Sequence, residues 1–285
     1  MQEESLSCLP SQGQRILLPE EARTDWLALL DKIQAAVRQA SRLMLDASDI
    51  RSKTRQKTSR ADLVTTYDVA IQKELQMMLN RLCPDLGFLG EEGEHGTLVN
   101  RDSFFVVDPI DGTTNFVYDY RHSAISVGLI LAGEPVLACC FDPYLDECFT
   151  ALKGLGAKLN GVPMQVGRQE LGGSVILFGT SPYNPETRPK SYRYLQALHE
   201  HGRDVRRSGS AVLDLAYVAA GRGDLFFESH LSPWDFGAAA LLVKEAGGKV
   251  TRLDGQPLRY DRGGSVLAGN PTVWQQAQTI WAGLD

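Results

Sequence analysis

The sequence predicts a mixed α/β fold, and three observations carry that expectation. Apolar residues recur at helical spacing near the N-terminus, short apolar runs broken by turn signals fill the middle, and strand-like and helix-like segments alternate toward the C-terminus. The first helix is expected within Trp26 to Ser48, where Leu27, Leu29, Leu30, Ile33, Val37 and Leu43 form one stripe, and the second from Asp68 to Leu82, with Val69, Ile71, Leu75, Met78 and Leu79. Between them, Arg51 to Arg60 carries five basic residues in ten. Its Ser/Thr content reads as a flexible, solvated loop.

Phe104 to Val107 reads as a short buried strand. Ser123 to Leu131, Pro135 to Phe141 and Glu147 to Leu152 then form a meander, broken at Ala132-Gly133-Glu134 and Asp142-Pro143. Asn160-Gly161 marks a tight turn. Beyond it the pattern gives a strand at Ser174–Phe178, helices at Ser191–His201 and Ala211–Ala220, a strand at Asp224–Phe227 and a helix at Phe236–Ala246 ending at Gly247-Gly248. Ser265–Ala268 reads as a strand and Thr272–Leu284 as a closing helix. The expected organisation is a polar leader (1–22), an N-terminal α/β part (23–155) and a C-terminal α/β part (156–285), packed into one body with a seam near residues 153–170.

With 285 residues, 43% hydrophobic and 22% charged, the chain has the composition of an ordinary globular protein. The start lacks a basic segment followed by an apolar one, and no run approaches the roughly 18 apolar residues of a membrane span. A cytoplasmic protein without a membrane partner is expected. The net charge of −6 argues against a general nucleic-acid partner. Cys8, Cys83, Cys139, Cys140 and Cys148 lack C-x-x-C spacing, which argues against a disulfide framework or a zinc ribbon. Cys139 and Cys140 read as buried thiols. His199 and His201, two apart on a helix, point in different directions and make a poor metal pair.

Three acidic segments carry the chemistry. In Gly90-Glu91-Glu92-Gly93, apolar Phe88-Leu89 leads into two acids at the end of an extended segment, a pattern that alone equally fits a solvated pair. In Phe104 to Phe116, a buried strand delivers Asp108 at its end, Pro109 stiffens the turn, and Asp111 stands where a helix N-cap would stand. The amides of Gly112, Thr113 and Thr114 would then face an anion such as phosphate, and the two aspartates with the Ile110 carbonyl offer oxygens to a hard cation. In Pro233-Trp234-Asp235-Phe236-Gly237, Asp235 also reads as an N-cap, and capping competes there with metal ligation. Clustered acids would repel a phosphate dianion unless cations lie between them. Oxygen donors without Cys or His favour Mg²⁺ or Mn²⁺ over Zn²⁺.

At these residues the chain resembles the inositol monophosphatase family of Mg²⁺-dependent, lithium-sensitive phosphatases. The shared features are the G-E-E segment at Gly90, the nine residues Asp108-Pro-Ile-Asp-Gly-Thr-Thr-Asn-Phe116, and the W-D start at Trp234-Asp235 followed by Glu245-Ala-Gly-Gly248. Asp62-Leu-Val-Thr65, Asp68, Gly209-Ser210-Ala211 and Glu228 extend the match across roughly residues 25–280. The resemblance implies a layered α/β/α/β/α sandwich with mixed sheets, usually homodimeric, that hydrolyses a phosphorylated polyol or sugar with two or three Mg²⁺ per site. Mn²⁺ is the expected substitute, and Li⁺ and Ca²⁺ are expected inhibitors.

Residue by residue, the resemblance implies that Glu91, Asp108 and the Ile110 carbonyl hold one metal and that Asp108, Asp111 and Asp235 hold a second. Glu91 and Thr113 would orient the attacking water, Asp68 would polarise Thr113, and Lys57 and Glu92 would lie near a third metal. Gly112 and Thr113 would meet the phosphate. Asp111, Gly209, Ser210, Ala211, Glu228 and Asp235 would border the substrate. The leader before Thr24 has no counterpart in the family, and Phe178 to Tyr183 differs from the usual serine-bearing segment. Alternatives that share the metal site are fructose-1,6-bisphosphatase, histidinol phosphatase and 3′-phosphoadenosine-5′-phosphatase. A regulatory binding protein of the transcription or translation machinery is the alternative from another class.

Overall fold

Two long amphipathic helices, α1 (Arg23–Leu45) and α2 (Thr66–Leu82), pack side by side early in the chain. The computed structural model describes residues 23–93, 102–182, 184 and 186–284. The polar leader with Cys8, and Tyr183, lie outside the described residues. Thr65 caps α2, accepting from the Tyr67 and Asp68 amides, while Asp68 at the third helical position accepts from the Thr65 amide at 2.8 Å. The basic segment before α2 is not a loop throughout. Strand β1 (Thr54–Gln56) pairs antiparallel with β2 (Leu63–Thr65), so that a hairpin carries Lys57 at its turn. Composition could not reveal this, because the pairing satisfies backbone groups and leaves the side chains polar.

The middle of the chain builds one seven-stranded mixed sheet. Its strands, in spatial and chain order, are β3 (Gly87–Gly90), β4 (Phe104–Asp111), β5 (Ala124–Leu131), β6 (Glu134–Asp142), β7 (Glu147–Leu152), β8 (Ala157–Leu159) and β9 (Val162–Met164). Only β3 and β4 run parallel; the other neighbours are antiparallel. The central strands are near-continuous apolar runs because both faces are covered. Phe105 and Val107 of β4 join α1 and α2 in one core, while Phe104 and Val106 face a second core that contains α5 (Ala211–Ala219) and α7 (Ala239–Glu245).

A five-stranded sheet follows, in the order β11 (Asp204–Arg206), β10 (Val175–Phe178), β12 (Leu225–Leu231), β14 (Gly264–Gly269) and β13 (Lys249–Thr251). One of its faces meets the core around α5 and α7. The other carries Phe178, Phe227 and Leu267 against α4 (Arg188–His199) and α8 (Pro271–Ala282). The layers therefore read α/β/α/β/α, and α5 is apolar on nearly every side because it lies between two sheets. Cys139 and Cys140 are fully buried. Among the described residues no helix is long and apolar enough to cross a membrane.

The helix expected at 236–246 is divided into α6 (Pro233–Phe236) and α7, with the break at Gly237-Ala238. The break lies where the backbone presses on the central strands. A Cβ at Gly128 of β5 would come within 2.9 Å of the Val106 side chain and 3.0 Å of the Ala238 amide nitrogen. This contact fixes α6 against β4. Gly128→Ala should therefore overpack the junction and cost about 1–3 kcal/mol, read as a lower midpoint in urea unfolding. An unchanged midpoint would show that the junction is loose.

Candidate active site

Asp108 and Asp111 are three apart on β4, a spacing that would put their side chains on opposite faces of a regular strand. The ladder with β5 shifts register between them: Asp108 is opposite Ser126 and Asp111 opposite Ala124. Three steps on one strand thus match two on the other, and the added residue re-aims the strand end. As a result Asp108, Asp111 and Asp235 converge, with candidate ligand oxygens all within 4.8 Å of one another. The Ile110 side chain is anchored in the core behind α1, and its amide donates to Asp108 Oδ1 at 3.0 Å.

The adjacent parallel strand β3 brings up Glu91, whose amide donates to the Val107 carbonyl at 3.2 Å. Glu92 is clamped by Gln72 of α2, which accepts from the Glu92 amide at 2.8 Å and donates to its carbonyl at 2.5 Å. Lys57 Nζ bridges the two acids, 2.9 Å from Glu91 and 2.5 Å from Glu92. The acids are therefore not a solvated surface pair.

The helix expected after β4 is the short α3 (Thr113–Val117), and its N-cap is Gly112 rather than Asp111. Gly112 has φ 83°, a left-handed conformation that glycine adopts without strain. Asp111 instead accepts from the Ser210 hydroxyl and, at 3.0 Å, from the Val212 amide, so it caps the distant α5. The Thr113 hydroxyl lies 3.3 Å from Asp68 Oδ1 and 3.1 Å from the Ile110 carbonyl. Asp235 is likewise not the N-cap of its helix: it sits at the third position and accepts from the Ser232 amide at 2.7 Å. In both cases the true cap lies one or three residues away, and the aspartate faces the cluster.

Glu228 lies within β12 and is buried. Its Oε1 accepts from the Ser181 amide at 2.7 Å. A cleft of about 520 Å³ unites these elements; it is lined by Lys57, Glu91, Asp108, Ile110, Asp111, Gly112, Thr113, Gly209, Ser210, Ala211, Glu228 and Asp235. Of the residues singled out in the sequence, Asp68 and Glu92 stand just behind this lining, touching Thr113 and Lys57. Sequence reasoning missed Gln72, Ser232 and Asp214, which hold or border the site from distant segments. The motif residue Asn115 also has a structural task, donating to the His122 and Ser208 carbonyls at 2.8 and 3.0 Å and so tying α3 to the segment before β5 and to the segment before α5.

Burial dominates the electrostatics. It raises the carboxyls of Asp108 and Asp235 well above the usual range, and the neighbouring acids add to the effect. Asp111 rises to about 6, opposed by its Ser210 and Val212 donors. Burial lifts Glu91 to about 7 against the pull of Lys57. Asp68 and Glu228 rise to about 6 and about 7 for the same first cause. For Lys57, burial lowers the ammonium, but the two glutamates outweigh it and hold it above its ordinary value. The arrangement is a dense buried acid cluster that gains from a bound cation.

Comparison with known proteins gives one consistent result. Residues 26–282 match the profile of the inositol monophosphatase family. The Nus factor SuhB of Xylella fastidiosa (strain Temecula1) is 40% identical over 228 residues, covering 78% of this chain and 82% of its own. The inositol-1-monophosphatase of Rhizobium meliloti (strain 1021) is 39% identical over 244 residues, covering 85% and 91%. The crystal structure of extragenic suppressor protein suhB from Bartonella henselae superposes with a TM-score of 0.82 at 34% identity, covering 89% of this chain and 98% of that one.

The raised carboxyls fix the sign of a pH effect. A folded-state pKa above the unfolded value stabilises the protein below the unfolded pKa, and that stability is lost as pH rises through the folded one. For Asp68, Asp111, Glu91 and Glu228 the window runs from the ordinary 3.8–4.5 up to about 6–7. The metal-free protein should therefore melt at lower temperature at about pH 8 than at about pH 5. Asp108→Asn should flatten that dependence and raise the metal-free melting temperature at the higher pH. A melting temperature that climbs across this interval in EDTA would contradict the picture.

Proposed function

Because this chain belongs to the inositol monophosphatase family, we propose that it hydrolyses a phosphate monoester with Mg²⁺, and that inositol monophosphate is its first candidate substrate. The observation that carries this reading is the convergence of Asp108, Asp111 and Asp235 within 4.8 Å, in a cleft that also holds the Thr113 hydroxyl and Glu228. The donor set fits the ion: three carboxylates with a main-chain carbonyl beside them, and no Cys or His in the cluster, suit Mg²⁺ or Mn²⁺. Bound there, Mg²⁺ would acidify a water and offset the charge of the phosphate.

In this reading Glu91, Asp108 and the Ile110 carbonyl hold one ion, Asp108, Asp111 and Asp235 hold a second, and Glu92 and Lys57 border a third. The chain's own groups then handle the water. Thr113 donates a hydrogen bond to Asp68 Oδ1, 3.3 Å away, which leaves a lone pair on Thr113 to accept one hydrogen bond from the attacking water. Glu91 accepts the other, so the water's oxygen faces the phosphorus. The amides of Gly112 and Thr113 receive phosphate oxygens, and Gly209, Ser210 and Ala211 border the alcohol. With Oε1 of Glu228 engaged by Ser181, Oε2 is left to accept from a ring hydroxyl. A homodimer is part of the proposal, and light scattering on the purified chain tests it.

The relatives named Nus factor SuhB support a second reading, a regulatory protein of the transcription or translation machinery. The two readings separate on Asp108→Asn, which should remove catalysis and leave a regulatory association intact.

Phosphate release should require Mg²⁺ and stop in EDTA, in Asp108→Asn and in Asp235→Asn; Ca²⁺ and Li⁺ should inhibit it. Glu91→Gln should lower kcat far more than it changes KM, since orienting the water matters in the transition state. Full turnover in EDTA would sink the metal assignment, and a change confined to KM would remove Glu91 from its role. Glu228→Ala should cost about 1–3 kcal/mol in kcat/KM for inositol 1-phosphate, the range for a hydrogen bond to a charged group, with little effect on an aryl phosphate. Equal losses on both substrates would take Glu228 out of hydroxyl recognition.

A further inference from the structure

Glu228 owes its place in the cleft to two neighbours in the wall behind it. Strand β10 ends at Phe178, opposite Phe227 of β12, and the next residue, Gly179, still donates its amide to the Phe227 carbonyl at 3.0 Å. The backbone of Gly179 is therefore held beside Glu228. Its own conformation is not left-handed and does not call for glycine. A Cβ built there would overlap the Glu228 carboxyl: the atoms nearest to it are Oε2, Cδ and Oε1 of that group. The missing side chain is thus the space into which the carboxyl packs.

Further along the same turn, Ser181 pins the carboxyl. Strand β12 is irregular after Glu228: Glu228 pairs with Val266 and Leu231 with Gly264 of β14, three steps against two. Within that stretch the Ser181 hydroxyl accepts from the His230 amide at 2.9 Å and donates to the His230 carbonyl at 3.2 Å. Its amide donates to Glu228 Oε1 at 2.7 Å. Ser181 is buried and has φ 42°, a left-handed conformation uncommon for a residue with a side chain and kept where the surroundings over-determine it. One serine thereby ties the irregular stretch of β12 and the carboxyl to the same turn.

We propose that Gly179 and Ser181 are positioning residues for hydroxyl recognition: the open space at Gly179 and the Ser181 amide together aim Glu228, so this turn sets the preference for a phosphate ester whose alcohol carries ring hydroxyls. The proposal rests on the phosphatase reading above, in which Glu228 accepts from such a hydroxyl. A carboxyl fixed in advance loses less side-chain freedom when the ligand binds. A methyl group at Gly179 meets only the far end of a flexible side chain, so it moves the carboxyl off its Ser181 donor and leaves the fold in place. The alternative is that the turn serves only to stabilise β12, in which case its variants weaken every ligand alike.

Inositol 1-phosphate and cyclohexyl phosphate share a ring and a phosphate and differ in the ring hydroxyls. Their affinities for the full chain are measured by calorimetry in Ca²⁺, and phosphate release from each is followed separately in Mg²⁺. The wild type should bind the inositol ester about tenfold or more tightly, the factor that one hydrogen bond to a charged group supplies. Gly179→Ala should lose as much of that preference as Glu228→Ala does, and the double variant no more than either, because both changes remove the same interaction. Ser181→Ala, which keeps the amide and loses the hydroxyl, should lose part of it. A wild type that binds neither ester or shows no preference, a preference untouched in Gly179→Ala or Ser181→Ala, a Gly179→Ala chain that does not fold, losses that add in the double variant, or equal weakening of both esters would overturn the proposal. A preference sensitive to Gly179→Ala without any phosphate release would keep this positioning role and reject the phosphatase reading. Release with a preference indifferent to Gly179→Ala would do the reverse.

Discussion

The burial of several carboxylates in one place, with mutual repulsion added to it, is the constraint on which the rest of this structure depends. Asp108, Asp111 and Asp235 meet within 4.8 Å, with Glu91 close by, in a place that excludes most water. An isolated charge in such a place is costly, and burying several of one sign is costlier still. Their raised pKa values express that cost directly. A cluster of this kind is poor for stability in the metal-free protein and well suited to an ion with oxygen ligands.

The fold supplies the rigidity that holds the acids together. Each is fixed by backbone or by a donor from another element: Asp108 by the Ile110 amide, Asp111 by Ser210 and Val212, Asp235 by Ser232, and Glu91 by the main-chain bond to Val107. These groups belong to β3 and β4 of the seven-stranded sheet and to the starts of α5 and α6, which pack in one core on a single face of it. The close approach of Ala238 to Gly128 holds the Asp235 helix at the strand end. A general consequence follows: the same contacts that stabilise the layered core also set the spacing of the acids, so packing and site geometry cannot be varied independently.

Much of this was legible in the sequence because it is local. The strand before Asp108, the turn at Gly112, the two N-terminal helices and the meander from residue 124 to 152 follow from periodicity and turn residues, and the acid motifs mark segments that meet in one cleft. Where expectation and structure differ, long-range pairing decides. Asp111 and Asp235 read as caps of the helices that follow them, yet Asp111 caps a helix that starts a hundred residues later. The basic segment around Lys57 reads as a loop, and a strand at Leu63–Thr65 turns it into a hairpin. Gln72 and Asp214 carry no local signal at all; they matter through what the fold brings beside them.

The central claim is that the acid cluster holds divalent cations and is deprotonated by them. Titration of the metal-free protein with Mn²⁺ near neutral pH, by calorimetry in two buffers of different ionisation enthalpy, tests it most directly. The account predicts saturable binding accompanied by net proton release, because carboxyls lifted toward 6–7 must ionise to become ligands; both should be lost together in Asp108→Asn. Absence of saturable binding, or binding with no proton release in the wild type, would contradict it.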